Sequence, residues 1–136
     1  MKNIQIFFLM FSFSVFSQTT FEKAEKLYTQ KKYNEAEKLF SEHLKSQPNH
    51  TKTIEYLGDI AGHQKDWNTA ITNYKKLKVS YPKNANYWYK YGGALGMKAK
   101  ESNKFKALGM IDEVEESFLT AAKLDSKHIE TRWALV

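Results

Sequence analysis

Charge is absent from Ile4 through Phe16, a stretch rich in phenylalanine, isoleucine and leucine; beyond it, lysines and glutamates alternate with apolar positions almost to the end. The two patterns predict different fates. The charge-free stretch follows Lys2 and has the length of the apolar part of a secretory signal peptide, whereas a bilayer core needs ~20 apolar residues, and no charged stop-transfer flank follows. Val15 and Ser17 are small enough for the third and first positions before a cleavage site, so residues 1–17 are expected to be removed. The mature chain then runs from Gln18 to Val136, exported to a bacterial periplasm or secreted, with the net charge lowered from +6 to +5 by the loss of Lys2.

In the remainder, apolar, small and proline positions recur at one interval. Tyr33, Ala36, Phe40 and Pro48 reappear as Trp67, Ala70, Tyr74 and Pro82 at a constant offset of 34, and Ala24, Gly58 and Gly92 carry a small residue at the same place three times. A fixed period of this length means one supersecondary unit copied and stacked. Two prolines and six glycines over 136 residues leave few strand or turn signals. The spacing predicts helices over 20–30, 34–46, 51–64, 67–80, 85–101 and 111–124. Pro48 and Pro82 stop the second helix of each pair. Asn34, Thr51, Asn68 and Asn84 stand near helix starts, where short polar side chains accept from orphan N–H groups. Small residues at 24, 58 and 92 let the second helix of each pair approach, and Ala36 and Ala70 do the same from the other side.

The pattern resembles the tetratricopeptide repeat (TPR). Its third copy matches best, with Trp88, Tyr91, Gly92 and Leu95; the second has Ile54, Leu57, Gly58 and Ala61, and the first Thr20, Lys23, Ala24 and Leu27. The resemblance covers essentially the whole mature chain. It implies an all-α fold, a right-handed α-solenoid of antiparallel helical hairpins with about three repeats and the start of a fourth. The repeats fall at about 18–50, 51–84 and 85–128.

Two departures stand out. Val114 and Phe118 take the roles of Ala70 and Tyr74 at an offset of 44, so ten residues are inserted within 99–110. The inserted segment carries Lys98, Lys100, Lys104 and Lys106 around Phe105, Leu108 and Met110, and reads either as a basic contact loop or as an extended helix end. Residues 129–136 open another first helix and stop after about two turns. They serve as a cap through Trp133 and Leu135, or the sequence is part of a longer protein. The apolar ending Ala134-Leu135-Val136 favours the second reading.

Chemistry is sparse. With no cysteine, disulfides and thiolate metal sites are excluded. No phosphate loop, zinc spacing or nucleophile elbow is present, and Glu55, Asp59 and His63 on one helix face read as a polar stripe, not a metal or proton-transfer trio. His43, His50 and His128 receive no role. The chain is therefore expected to be no enzyme and to need no cofactor. Alternation of lysine and glutamate argues against nucleic acid or another anionic surface as partner, despite a pI near 9.3.

The resemblance further implies that first helices line a concave surface that holds a peptide or partner protein. Carried over position by position, it points to Phe21, Glu25 and Thr29, then Lys52, Glu55, Asp59 and His63, then Asn86, Tyr89, Gly93 and Met97, with Lys90 beside them as a further ligand-binding candidate. The positions that clamp a C-terminal carboxylate in one variant of the family hold Phe21, Glu25, Asn86 and Lys90, where only Lys90 is a suitable cation. A chaperone-tail clamp is not expected. The sequence reads as an exported protein-interaction scaffold, or as the non-catalytic N-terminal part of a longer enzyme or assembly factor. No membrane insertion is expected once the leader is gone, and the oligomeric state is open.

Overall fold

The computed structural model describes residues 19–127. The apolar leader at 1–17 with its cut before Gln18, His128 and the expected partial helix at 129–136 lie outside the described residues. Six helices and no strand occur among the described residues: α1 over 19–29, α2 Tyr33–Ser46, α3 Thr51–His63, α4 Trp67–Ser80, α5 Ala85–Glu101 and α6 Lys104–Leu124. They form two compact units, one ending at Leu57 and the other beginning at Gly58, so that the division falls inside α3.

In the first unit, Ala24, Ala36 and Phe40 are fully buried, with Ile54 beside them in burial. Phe40 stacks on Tyr56 with ring centroids 4.7 Å apart, Phe21 meets Phe40 edge-on at 5.8 Å, and Tyr28 packs between Tyr33 and Tyr56. A small residue at Ala24 and Ala36 is what allows these rings to close the layer, since a larger side chain there would displace them. In the second unit, Ala70, Tyr74, Leu77, Tyr91, Leu95 and Ala121 are buried, and α5 packs on both α4 and α6. A Cβ built on Gly58 would stand 2.7 Å from Tyr74 Cε1, and one on Gly92 would stand 3.0 Å from Ser117 Cβ. The close approach predicted for these glycines is therefore made against identified atoms.

The period extends to the backbone. Lys31 and Lys65, one period apart, both adopt the left-handed region, with φ of 59° and 61°. Around each, two bonds close the helix end: Lys32 N donates to Leu27 O and Lys31 N to Tyr28 O, as Asp66 N does to Ala61 O and Lys65 N to Gly62 O. This is the Schellman arrangement, usually built on glycine.

Capping differs from expectation. Asn84 caps α5, accepting from Asn86 N and Tyr87 N, but α4 is capped by Asp66 and not by Asn68, and α2 starts after Lys32 without a side-chain cap, with Asn34 inside the helix. At α3 the acceptor is His50, not Thr51: its Nδ1 takes the N–H of Thr53 at 3.3 Å. The turns put each of these acceptors one residue before the first helical one, and only there does the side chain reach back to the third N–H.

The third hairpin shows where the ten inserted residues go. α6 begins at Lys104, seven residues before the expected start, and no long loop projects. Compared with α3 and α4, α5 is four residues longer and α6 seven longer, while the turn between them is one shorter. Asn103 caps the extended helix through Lys106 N. Gly96 faces Val114 along this pair: a Cβ there would lie 3.7 Å from Val114 Cγ1, an ordinary van der Waals contact.

Candidate binding surface

In the second unit, Asp59, His63, Asn86, Tyr89 and Lys90 come from the latter part of α3 and the first two turns of α5. Two of them are joined. Lys90 Nζ donates to Asp59 Oδ1 at 2.7 Å and to Oδ2 at 2.9 Å, and the hydroxyl of Tyr74 donates to the same Oδ1 at 2.6 Å. The ammonium also lies 5.7 Å from the centre of the Tyr74 ring. Both charged side chains keep about a fifth of their surface, 21% and 20%, so the pair is accessible at its edge while its charges are already mutually satisfied. Tyr89 is not part of this cluster; its ring rests on Phe118 of α6 at 5.9 Å. His63 is exposed and Asn86 half-buried.

In the first unit, Lys52 is exposed and pairs with Glu55 at 3.2 Å, one turn along α3, while its ammonium lies 5.5 Å from the centre of the Tyr56 ring. Glu55 is buried. The Tyr56 hydroxyl donates to Glu25 Oε1 at 3.0 Å; burial, then this carboxylate, push the phenol up to about 12. Glu25 precedes Asp59 by one period, and Tyr56 precedes Lys90 by the same interval. Each unit thus repeats one contact, a carboxylate on one first helix held by the residue 31 further on, with a phenol in one case and an ammonium in the other.

Phe21, at the first of the positions compared with a carboxylate clamp, is enclosed by rings: His50 at 4.9 Å, His43 at 5.2 Å, Phe40 and Tyr56. Among the described residues no group of three or more histidine, aspartate or glutamate side chains is gathered as a metal site would require, and no helix is long and apolar enough to cross a membrane.

No family model matches the chain, and no curated protein matches it by sequence. Solved structures do match by fold. A thermophilic TPR protein of Thermus thermophilus, TTC0263, superposes with a TM-score of 0.74 at 17% identity, over 85% of this chain and 60% of that one. The first TPR of Spaghetti (RPAP3), bound to the HSP90 peptide SRMEEVD, gives 0.71 at 16% identity over 88% and 86%. MamA from Desulfovibrio magneticus RS-1, residues 41 to the end, gives 0.70 at 19% over 85% and 59%. The chain has a TPR-like helical-repeat fold. It spans about three fifths of the length of the first and third of these structures.

Within this TPR-like fold two buried polar groupings had no counterpart in the sequence reading. The first joins α2 to the start of α3. His43, Thr53 and His50 share one hydroxyl: each imidazole Nδ1 lies 2.8 Å from Thr53 Oγ1, and the rings meet edge-on at 4.7 Å. Proton positions follow from the network. His50 Nδ1 accepts the Thr53 N–H, so it carries no proton there; the Thr53 hydroxyl therefore donates to it, and His43 Nδ1–H donates to the hydroxyl oxygen. His43 and Thr53 are 3% and 0% exposed, and burial, with the His50 ring beside it, holds the His43 imidazole below its ordinary value of 6.5. The signal was present as two histidines seven residues apart, but they lie on opposite sides of a turn, where spacing says nothing about contact.

The second grouping is Lys78, buried on α4. Its ammonium sits 3.9 Å from the centre of the Tyr91 ring and 4.2 Å from that of Trp88. Burial lowers its pKa, opposed by Glu113 and Glu116. The Tyr91 hydroxyl in turn donates to Glu113, so the ring under the ammonium is itself tied to a carboxylate whose charge favours the cation. Leu44 and Ala122 occupy the matching places in the other repeats. A lysine at this slot is a departure that apolar periodicity alone does not explain.

Proposed function

We propose that this chain is a non-catalytic, exported scaffold that holds a peptide or partner protein on the faces of its first helices. The observation that carries this reading is the TPR-like fold, joined to a surface on α5 where Asn86 and Tyr89 stand partly exposed beside the neutralised Asp59–Lys90 pair. Tyr89 supplies a rigid ring with little conformational entropy to lose, and Asn86 an amide able to donate and accept, which is what an extended peptide backbone asks for. His63 extends the surface along the second unit's part of α3, and Lys52 and Glu55 form a polar patch of the first unit by itself.

The ligand class follows from the charges. Spaghetti's first TPR is bound to an acidic peptide, SRMEEVD. Here Phe21 and Glu25 are engaged in ring packing and with Tyr56, and Lys90 is bound to Asp59, so a terminal carboxylate meets no uncommitted set of cations at those positions. The surface suits a peptide of mixed or neutral character.

The test is capture from the producing organism's own extract, followed by calorimetry with the purified binder. Tyr89→Ala and Asn86→Ala should weaken the interaction by roughly tenfold or more between them. Binding that is unchanged in the double variant would place the partner elsewhere. Export is tested separately, by N-terminal sequencing of protein recovered from cells expressing the full chain; Gln18 should be the first residue.

A further inference from the structure

Phe105, Leu108 and Ile111 are 86, 56 and 49% exposed. The first two belong to the stretch by which α6 outgrows α4, and Ile111 follows directly. Helical geometry sets Lys104, Leu108, Ile111 and Glu115 in one line at intervals of four, three and four residues, and all four are exposed. The flank of the helix beside this line, with Ala107, Met110, Val114 and Ser117, is partly or fully buried.

This line reads cation, apolar, apolar, anion. An antiparallel copy presents the same groups in reverse, so each meets its complement. The midpoint of positions 104 and 115 is also the midpoint of 108 and 111, between residues 109 and 110; one twofold axis therefore satisfies every contact at once. A stripe with only one sign of charge would repel its own copy.

We propose that α6 is a self-association surface on which a second copy of this chain lays its own α6 antiparallel. Leu108 of each copy packs on Ile111 of the other, Lys104 pairs with Glu115, and Phe105 covers the rim. An anionic bilayer would attract Lys104 and Lys106 but repel Asp112, Glu113, Glu115 and Glu116, which are exposed along the following turns. A strongly acidic or strongly basic peptide meets the same conflict. The stripe offers one charge pair and two aliphatic side chains per copy with Phe105 at its rim, so the dimer is weak and reversible.

The experiment is sedimentation equilibrium on protein purified from cells expressing the full chain, from about 5 to about 500 µM, the range where small interfaces associate. The mass should rise towards that of a dimer. Lys104→Glu and Glu115→Lys, each placing two like-charge contacts at the axis, should each weaken association about tenfold. The double variant Lys104→Glu/Glu115→Lys should return to within about threefold of the parent, because the swapped charges again attract across the axis. Within one chain these residues are ~16 Å apart along the helix, so the rescue has no intramolecular route. Leu108→Asp should leave a monomer whose far-UV circular dichroism matches the parent.

A parent protein that stays monomeric over the whole range overturns the proposal, whether the stripe is then covered by residues outside 19–127, by another protein or by lipid. So does a double variant no better than either single one.

Discussion

Asp59 sits under Lys90, with both carboxylate oxygens taken by one ammonium. In the first unit Glu25 occupies the equivalent position and is held by Tyr56, so the repeat preserves a contact while exchanging its chemistry. What recurs is the place where two successive first helices approach and a carboxylate needs a donor. The pair is partly open to water, which keeps its worth small. A double-mutant cycle with Asp59→Asn and Lys90→Met should give a coupling of about 0.5–1 kcal/mol in chemical unfolding, smaller at high salt. A coupling near zero would mean that Tyr74 alone holds Asp59.

Gly58→Ala tests the closeness of α3 and α4. The new methyl would fall 2.7 Å from Tyr74 Cε1, and the ring that must yield is tied to Asp59 through its hydroxyl. The expected loss is about 1–3 kcal/mol despite the better helix propensity of alanine. Gly93→Ala is the control: nothing lies within 4 Å of a Cβ there, so the same exchange should be neutral or stabilising.

Lys31 and Lys65 bear left-handed backbones that glycine adopts without steric cost. Lys31→Gly and Lys65→Gly should each raise stability by about 0.5–1 kcal/mol, and the two should add because they lie in different turns. Thermal denaturation of the two single variants and the double one is sufficient. A loss in either case would show that the lysine side chain contributes more than its backbone costs.

His43 makes stability depend on pH. Its folded pKa lies below 6.5, so the unfolded chain takes up the proton first. Stability from neutral His43 is complete above pH 6.5 and is lost as the pH falls below that value towards the folded pKa. The melting temperature should therefore drop as the pH is taken from neutral into the mildly acidic range. His43→Asn, whose amide can still donate to Thr53, should start lower and show a shallower drop. Equal slopes in parent and variant would remove the buried imidazole as the cause.

The period of 34 was legible because stacked hairpins demand the same volume at the same place each time. Ala36 and Ala70 are both fully buried, and the predicted starts of α3, α4 and α5 agree with those observed. The inserted ten residues were not legible in the same way. The ten residues within 99–110 have no repeat partner to define their form, and a loop or longer helices satisfy their composition equally; in the structure α5 and α6 are both extended. That Glu55, Asp59 and His63 share one face of α3 was readable from their spacing of four residues, but the engagement of Lys90 by Asp59 was not, since the two are far apart along the chain. The joining of His43 to His50 through Thr53 was missed for a related reason.

By itself, then, the sequence determined the kind of element, its length in two of three hairpins and the small residues on which the layers close, all of which repeat and are local. The tertiary structure alone decided which polar side chains neutralise one another, where the extra residues extend the third hairpin and which apolar stripe is left outside. Those outcomes depend on distances between atoms remote in the chain, and a periodic pattern carries no information about them.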